Sequence, residues 1–380
     1  MSVWQNNWTE RERGKSVAKH LLVGSTRGGS GKSAVILGLG LHLQKRGLAV
    51  GYGKPLGTFT SKELPQDAYP LEVDVKFITQ ALGLPPSLIR PTLLYLDRRS
   101  LEQQLRAPQD YSSQLRQYHA YSEGDLVLVE APANTAEGAI FGLSLRQMAE
   151  ALAAPILLVV RHSDLLVADH LLVAKERMGG YLMGVVINDI PPQSMEFARS
   201  VLTPFLEERG IAVLAVMPES RILRSISVAA LVEELEAEIL YAPDTLPLTE
   251  ILIEDLKIGA MDVNSAQVFF RSAPQKAVVT GSSRVDLQLA ALETSTVCLI
   301  LTGTPHVTPE VRQRAAEFEV PILAVNKDTL TTVEIIRECL GQVRLQEGLK
   351  VKCIVDLLSD HFDFPRFYRL MELPVAAAKP

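Results

Sequence analysis

The sequence predicts an α/β protein with two parallel-sheet domains. Three observations carry that prediction. Short apolar runs alternate with helix-period segments along most of the chain, the pattern of strand–crossover–strand units. The alternation breaks at Tyr241-Ala-Pro-Asp-Thr-Leu-Pro247, where two prolines and a turn-forming Asp read as a linker. The first strand–helix junction holds a glycine-rich turn, Gly24-Ser-Thr-Arg-Gly-Gly-Ser-Gly31-Lys32-Ser33. A chain of 380 residues is long for one core and fits two domains with tails.

Bulk composition narrows the function classes. With 47% apolar and 22% charged residues the chain is ordinary globular material. Its net charge of −6 gives no footprint for nucleic acid, which demands clustered Lys and Arg. Cys298, Cys339 and Cys353 are odd in number and lack CxxC spacing, so neither a disulfide framework nor a zinc site is indicated. Cys298, inside the apolar run Val297 to Leu301, reads as a core residue. No run reaches the roughly 18 apolar residues of a membrane span, and Met1 to His20 lacks a signal-peptide core. A cytoplasmic protein without membrane or nucleic-acid partners is expected.

The tail, residues 1–18, carries Trp4 and Trp8, which are expected to dock on the protein's own surface or on a partner. The first domain, residues 19–240, opens with a strand over Leu21 to Gly24, a helix over Ala34 to Arg46 closed by Gly47, and a strand over Ala49 to Gly53. Leu71 to Leu84 reads as a helix, and Leu101 to Tyr121 as a polar amphipathic one. Further strands are expected at Gly124 to Glu130, Ile156 to Val160, Leu182 to Ile187 and Ala212 to Val216. Helices are expected at Leu145 to Ala153, Leu165 to Met178 and Val228 to Leu240. After the linker, 241–247, the second domain, 248–358, repeats the alternation. Its strands are Ala277 to Thr280, Val297 to Leu301 and Ile322 to Val325, and its helices Asp286 to Glu293, Pro309 to Phe318 and Thr332 to Leu340. The turns after those strands, Gly281 to Arg284, Thr302 to Thr304 and Asn326 to Thr329, should share one edge of a parallel sheet. That edge is a candidate for a small anionic ligand or a packing surface. The tail, 359–380, carries His361, Phe362, Phe364, Phe367 and Tyr368, expected to fold back on this chain or on a symmetry mate.

The chemistry concentrates at the glycine-rich turn. Glycines let backbone wrap an anion, and the following helix N-terminus presents free N–H groups and a positive dipole to it. Lys32 is placed to reach the β/γ-phosphates of a nucleotide and Ser33 to hold Mg²⁺. Thr26 departs from the GxxxxGK[ST] pattern, standing where its first Gly belongs. Lys54 follows the second strand at its carboxyl end, within reach of the same phosphates or of an anionic substrate. Glu130 ends a buried strand as a Walker B carboxylate does, beside the loop and facing its metal. Asn188 ends another strand, either facing a purine or forming a turn.

With these residues assembled, the first domain resembles the dethiobiotin synthetase-like P-loop NTPase group. That group includes the N-terminal domain of long bacterial phosphotransacetylases and the ATP domain of cobyrinic acid diamide synthases. Its loop carries Thr at the position of Thr26. The resemblance implies ATP and Mg²⁺ as cofactors. Thr26, Gly28, Gly29, Ser30, Gly31, Lys32, Ser33 and Asn188 would hold the nucleotide, Lys32 and Lys54 the phosphates, and Ser33 and Glu130 the metal. It also implies a second acidic ligand, Asp74, with Asp67 in competition.

Residues 248–358 are similar to the smaller α/β DRTGG domain of those phosphotransacetylases, through Val279-Thr-Gly281-Ser-Ser-Arg284-Val-Asp286, Ile300-Leu-Thr302-Gly303 and Asp328-Thr329. Ser282-Ser283 and Thr304 depart from its pattern. Since the chain stops where their acetyl-transfer domain would begin, acetyl transfer is not expected. Arg27-Gly-Gly-Ser-Gly-Lys32 also resembles the deviant Walker loop of the MinD/ParA ATPases, with Arg27 at their intermolecular lysine. Arg27 then either acts across a two-fold axis or faces solvent.

The leading expectation is an ATP-binding regulatory or sensing protein with slow or conditional ATPase activity, a homo-oligomer whose DRTGG domain meets a protein or a small anion. An ATP-dependent ligase that activates a carboxylate or carbamate comes second. Against it, Pro132 in Ala131-Pro132-Ala133-Asn134 removes an N–H where dethiobiotin synthetase has a Gly-rich turn. A dimeric MinD/ParA-like switch ATPase comes third.

Overall fold

The structure is a computed structural model and describes residues 18–58, 73–121, 123–162, 166–304, 306–340 and 348–374. Trp4, Trp8 and Asp67 lie outside the described residues. By contacts the chain divides into two compact units, one running to Glu219 and resuming at Ile354, the other Ser220–Cys353.

Among the described residues of the first unit, seven strands form one parallel sheet. They are β1 (Lys19–Ser25), β2 (Val50–Gly53), β3 (Ile89–Arg90), β4 (Leu126–Glu130), β5 (Ile156–Arg161), β6 (Leu182–Ile190) and β7 (Val213–Pro218). Their order is β3-β2-β4-β1-β5-β6-β7, every pairing parallel. The central strands β1 and β4 are buried from Leu21 to Ser25 and throughout Leu126–Glu130. Burial on both faces is why they read as unbroken apolar runs rather than as alternation. Strand order reverses at β1, whose neighbours are β4 and β5. A crevice therefore opens beyond its carboxyl end, where α/β sheets bind ligands.

Helix α1 (Lys32–Lys45) leaves that crevice and is buried nearly all round. A helix apolar on every side needs cover on every side. The aromatic tail supplies part of it, and it folds onto this chain. At Gly38 an added Cβ would strike Leu358, and the His42 ring stacks on Phe364 with centroids 3.5 Å apart. Phe362, Phe364, Phe367 and Tyr368 are buried, each burial stabilising by about 1.5–3 kcal/mol. Asp363 N–H donates to Leu214 O at 2.8 Å, so the tail also covers the edge of β7.

Arg366 grips Glu207 through two hydrogen bonds, 2.6 and 2.8 Å. These bonds are the main reason the Glu207 carboxyl is held below its ordinary 4.5. Its folded value being depressed, the pair contributes fully above 4.5 and is lost as pH falls through the lower folded value. A double-mutant cycle of Glu207→Gln and Arg366→Met should give a coupling of about 1 kcal/mol near neutrality. The same cycle in acid should give less; a pH-independent coupling would remove the ionic contribution.

Two expected helices are corrected. Leu101 to Tyr121 is not one helix but Arg98–Arg106, Ser112–Arg116 and a 3₁₀ turn at Gln117–Ala120. Asp97 caps the first piece at its start, accepting from Ser100 N–H at 2.6 Å, and Pro108, just past its end, cannot donate into a continuing helix. The helix expected over Val228 to Leu240 ends at Leu235. Glu236 turns left-handed (φ 54°), and Ala237 N–H closes back onto Val232 O at 2.9 Å, a Schellman ending without glycine. The chain then forms a strand.

That strand, β8 (Glu238–Tyr241), belongs to the second unit's sheet with β9 (Asp255–Gly259), β10 (Lys276–Gly281), β11 (Thr296–Thr302) and β12 (Ile322–Val325). Among the described residues the order is β8-β12-β11-β10-β9, with β8 antiparallel and the rest parallel. Cys298 is fully buried in it. The turns after β10, β11 and β12 do share one edge. Ser282 N–H donates to Thr302 O at 3.0 Å, and the Thr302 and Thr329 hydroxyls meet at 2.8 Å.

Candidate functional site

Parallel register builds the site. Val23 of β1 pairs with Glu130 of β4, and Ala131 N–H donates to Val23 O at 3.0 Å, so the carboxylate arrives beside the glycine-rich turn. Gly31 precedes α1 in the left-handed region (φ 98°), which glycine alone enters without strain. Lys32 is buried, and its Nζ donates to Ser25 Oγ at 3.0 Å. Ser25 Oγ in turn donates to Ala133 O at 2.8 Å, joining the loop to the segment after β4.

Glu130 is the centre of the arrangement. Ser33 Oγ donates to its Oε1 at 2.8 Å and Tyr52 Oη to its Oε2 at 2.8 Å. Burial is the largest influence and pushes the carboxyl up. Lys54, Lys32, Tyr52 and Ser33 together outweigh burial and hold Glu130 below the ordinary carboxylate range, ionised. Burial likewise lowers the Lys32 ammonium, opposed by Glu130 and reinforced by Lys54. Two buried lysines around one buried carboxylate form a cationic recess suited to polyanionic phosphate.

The donor set fits Mg²⁺. A hydroxyl and a carboxylate in direct contact are hard oxygen donors, and Mg²⁺ takes one or two carboxylates plus substrate phosphates and water. Among the described residues no group of three His, Cys, Asp or Glu side chains could hold a metal alone. Ser33 and Glu130 are the residues that would hold it.

The other candidates fall as follows. Thr26 is half-buried, while Arg27, Gly28 and Gly29 are exposed at the crown of the loop. Ser30 is buried, its Oγ donating to Arg27 O at 2.8 Å. Lys54 is buried beside Glu130. Asp74 is exposed in the first turn of the helix Val73–Ala81, and its charge is the weakest of the influences on Lys32. Asn188 reaches across from β6 to donate its Nδ2 to Ser30 O at 3.0 Å. The following Asp189 is left-handed (φ 62°) and is held by Arg161 Nε at 2.5 Å.

Sequence reasoning missed Tyr52, Ser25 and Glu137, whose Oε2 accepts from Ala133 N–H at 2.5 Å. Tyr52 had one signal, a lone polar tip in the buried strand Val50-Gly-Tyr-Gly53. In the second unit, the cations at the shared edge are engaged internally. Arg284 bonds Asp286 and Met261 O, and Lys327 bonds Leu235 O at 2.8 Å.

Sheet order, loop and carboxylate define a P-loop NTPase-type nucleotide-binding fold, joined to a second α/β domain. A family model described as AAA domain matches residues 19–227, more than half the chain, and the chain belongs to that family. A second, described as DRTGG domain, matches residues 230–339. Solved structures are more distant. The CBS and DRTGG domains of the regulatory region of Clostridium perfringens pyrophosphatase, complexed with diadenosine tetraphosphate, are 16% identical. That match covers 46% of this chain and 86% of that one, with a TM-score of 0.29. The MinC:MinD cell division protein complex of Aquifex aeolicus is 16% identical over 54% of this chain and 84% of that one, with a TM-score of 0.35. MinD of Pyrococcus horikoshii with Mg-ADP is 17% identical over 55% and 84%, with a TM-score of 0.32. The family matches, not these likenesses, carry the assignment.

Proposed function

We propose that this protein binds ATP with Mg²⁺ and uses nucleotide occupancy as a regulatory or sensing signal, with slow or conditional hydrolysis. The observation that carries the reading is the convergence of Lys32, Lys54, Ser33 and Glu130 at the carboxyl edge of β1, β2 and β4. The resemblance to the first domains of long phosphotransacetylases supports it, with the DRTGG domain as the interaction module and a homo-oligomer as the assembly. The loop after Glu130 favours regulation over ligation. Glu137 already takes the Ala133 N–H, and Asn134 Oδ1 takes those of Ala136 and Glu137, both at 2.9 Å. Those backbone donors are therefore engaged rather than offered to a carboxylate substrate.

Lys54 is the observation that favours the second reading, a ligase. A second buried cation beside the first is suited to neutralise a phosphoryl group in transfer to an acceptor. ADP release assayed with and without small carboxylates and carbamates, beside nucleotide-dependent partner capture, separates the two. Substrate-stimulated ADP release would favour ligation and sink the regulatory reading. Glu130→Gln, which keeps shape but removes charge, should weaken Mg²⁺-dependent nucleotide binding by about tenfold or more. An unaltered Mg²⁺ titration would remove its metal role.

A further inference from the structure

Tyr52 is fully buried on β2, and register sets it opposite Leu128 of β4, two residues before Glu130. Period-two alternation puts residues 128 and 130 on one face, so the phenol points along that face to the carboxylate. Its 2.8 Å bond to Oε2 is matched by the 2.8 Å bond from Ser33 to Oε1. Glu130 has three side-chain torsions, and two cations, Lys54 and Lys32, pull on its charge. A carboxylate held by Ser33 alone could turn toward either lysine. A neutral donor on the second oxygen fixes the rotamer without adding a competing charge.

We propose that Tyr52 is the positioning residue for the metal-binding carboxylate, anchoring Glu130 through Oε2 so that Oε1 and Ser33 remain the pair offered to Mg²⁺. This rests on the reading that the site takes nucleotide with Mg²⁺. The competing account is a core tyrosine whose hydroxyl merely found an acceptor.

Calorimetric titration of the full chain with ADP, with and without Mg²⁺, distinguishes them. Tyr52→Phe should leave Mg²⁺-free affinity unchanged and weaken the Mg²⁺ contribution about tenfold, the scale of one hydrogen bond to a charged acceptor. In a Glu130→Gln background, Tyr52→Phe should add nothing, because the residue acts through Glu130. Equal losses with and without Mg²⁺, additive losses in the double variant, or a full Mg²⁺ response in Tyr52→Phe would each overturn the proposal. Wild-type protein that binds no Mg-ADP would overturn this and the nucleotide reading together. Normal wild-type binding with an unaffected Tyr52→Phe overturns this alone. Should Tyr52→Phe fail to fold, 3-fluorotyrosine at position 52, a more acidic and stronger donor, must raise the Mg²⁺ response; a fall or no change counts against the proposal.

Discussion

Lys32→Ala should abolish measurable ATP binding while leaving the fold intact. The Nζ rests on Ser25 Oγ at 3.0 Å, inside a recess shared with Lys54 and Glu130. A charge-assisted bond from a buried ammonium to phosphate contributes roughly 3 kcal/mol, so its loss lowers affinity by about 100-fold or more. Stability should move the other way or not at all. Burial already pushes the Lys32 ammonium down, and removing it relieves a desolvated cation. Glu130 keeps Lys54, Ser33 and Tyr52. Calorimetry and a thermal melt on the same sample check both halves. Unchanged nucleotide affinity sinks the phosphate-loop assignment.

Gly31→Ala should damage fold and binding together. At φ 98° an L-residue is strained, at a cost of roughly 1–2 kcal/mol. An added Cβ would also lie inside the van der Waals shell of Asn188 Nδ2. Asn188 must then withdraw and release Ser30 O, its partner at 3.0 Å, losing about another 1 kcal/mol. A loss of about 2–3 kcal/mol corresponds to a fall of roughly 5–10 °C in melting temperature. Adding Asn188→Ser should recover the steric share but not the backbone share. A melt unchanged by Gly31→Ala would mean that the loop adopts another conformation.

Much of this was legible in the residues. Lys32, Ser33, Glu130 and Lys54 announced themselves because each sits at a fixed offset from a strand end, and strand ends show as the close of an apolar run. The parallel sheets were legible for the same reason, since buried strands carry no polar face. What failed had local causes. Glu236 ends a helix left-handed, where glycine is the usual sign. Pro108 divided a segment whose amphipathic period runs on past it. Strand β9, Asp255–Gly259, is half-exposed over most of its length, so no apolar run marks it. The cover over helix α1 was not legible either, because Leu358 and Phe364, which lie against it, come from more than 300 residues further along the chain.

By itself the sequence determined the fold class, the glycine-rich loop with its lysine and serine, and the strand that carries the acidic residue. These are local matters, set by residues a few positions apart and by the periods of strand and helix. Only the tertiary structure decided that Tyr52 donates to Glu130, that Ser25 ties Lys32 to Ala133, and that Asn188 is a strut on Ser30. Each of those contacts joins residues from different strands or loops. Which side chains meet there depends on sheet order and register, and those follow from packing the whole sheet rather than from any one segment.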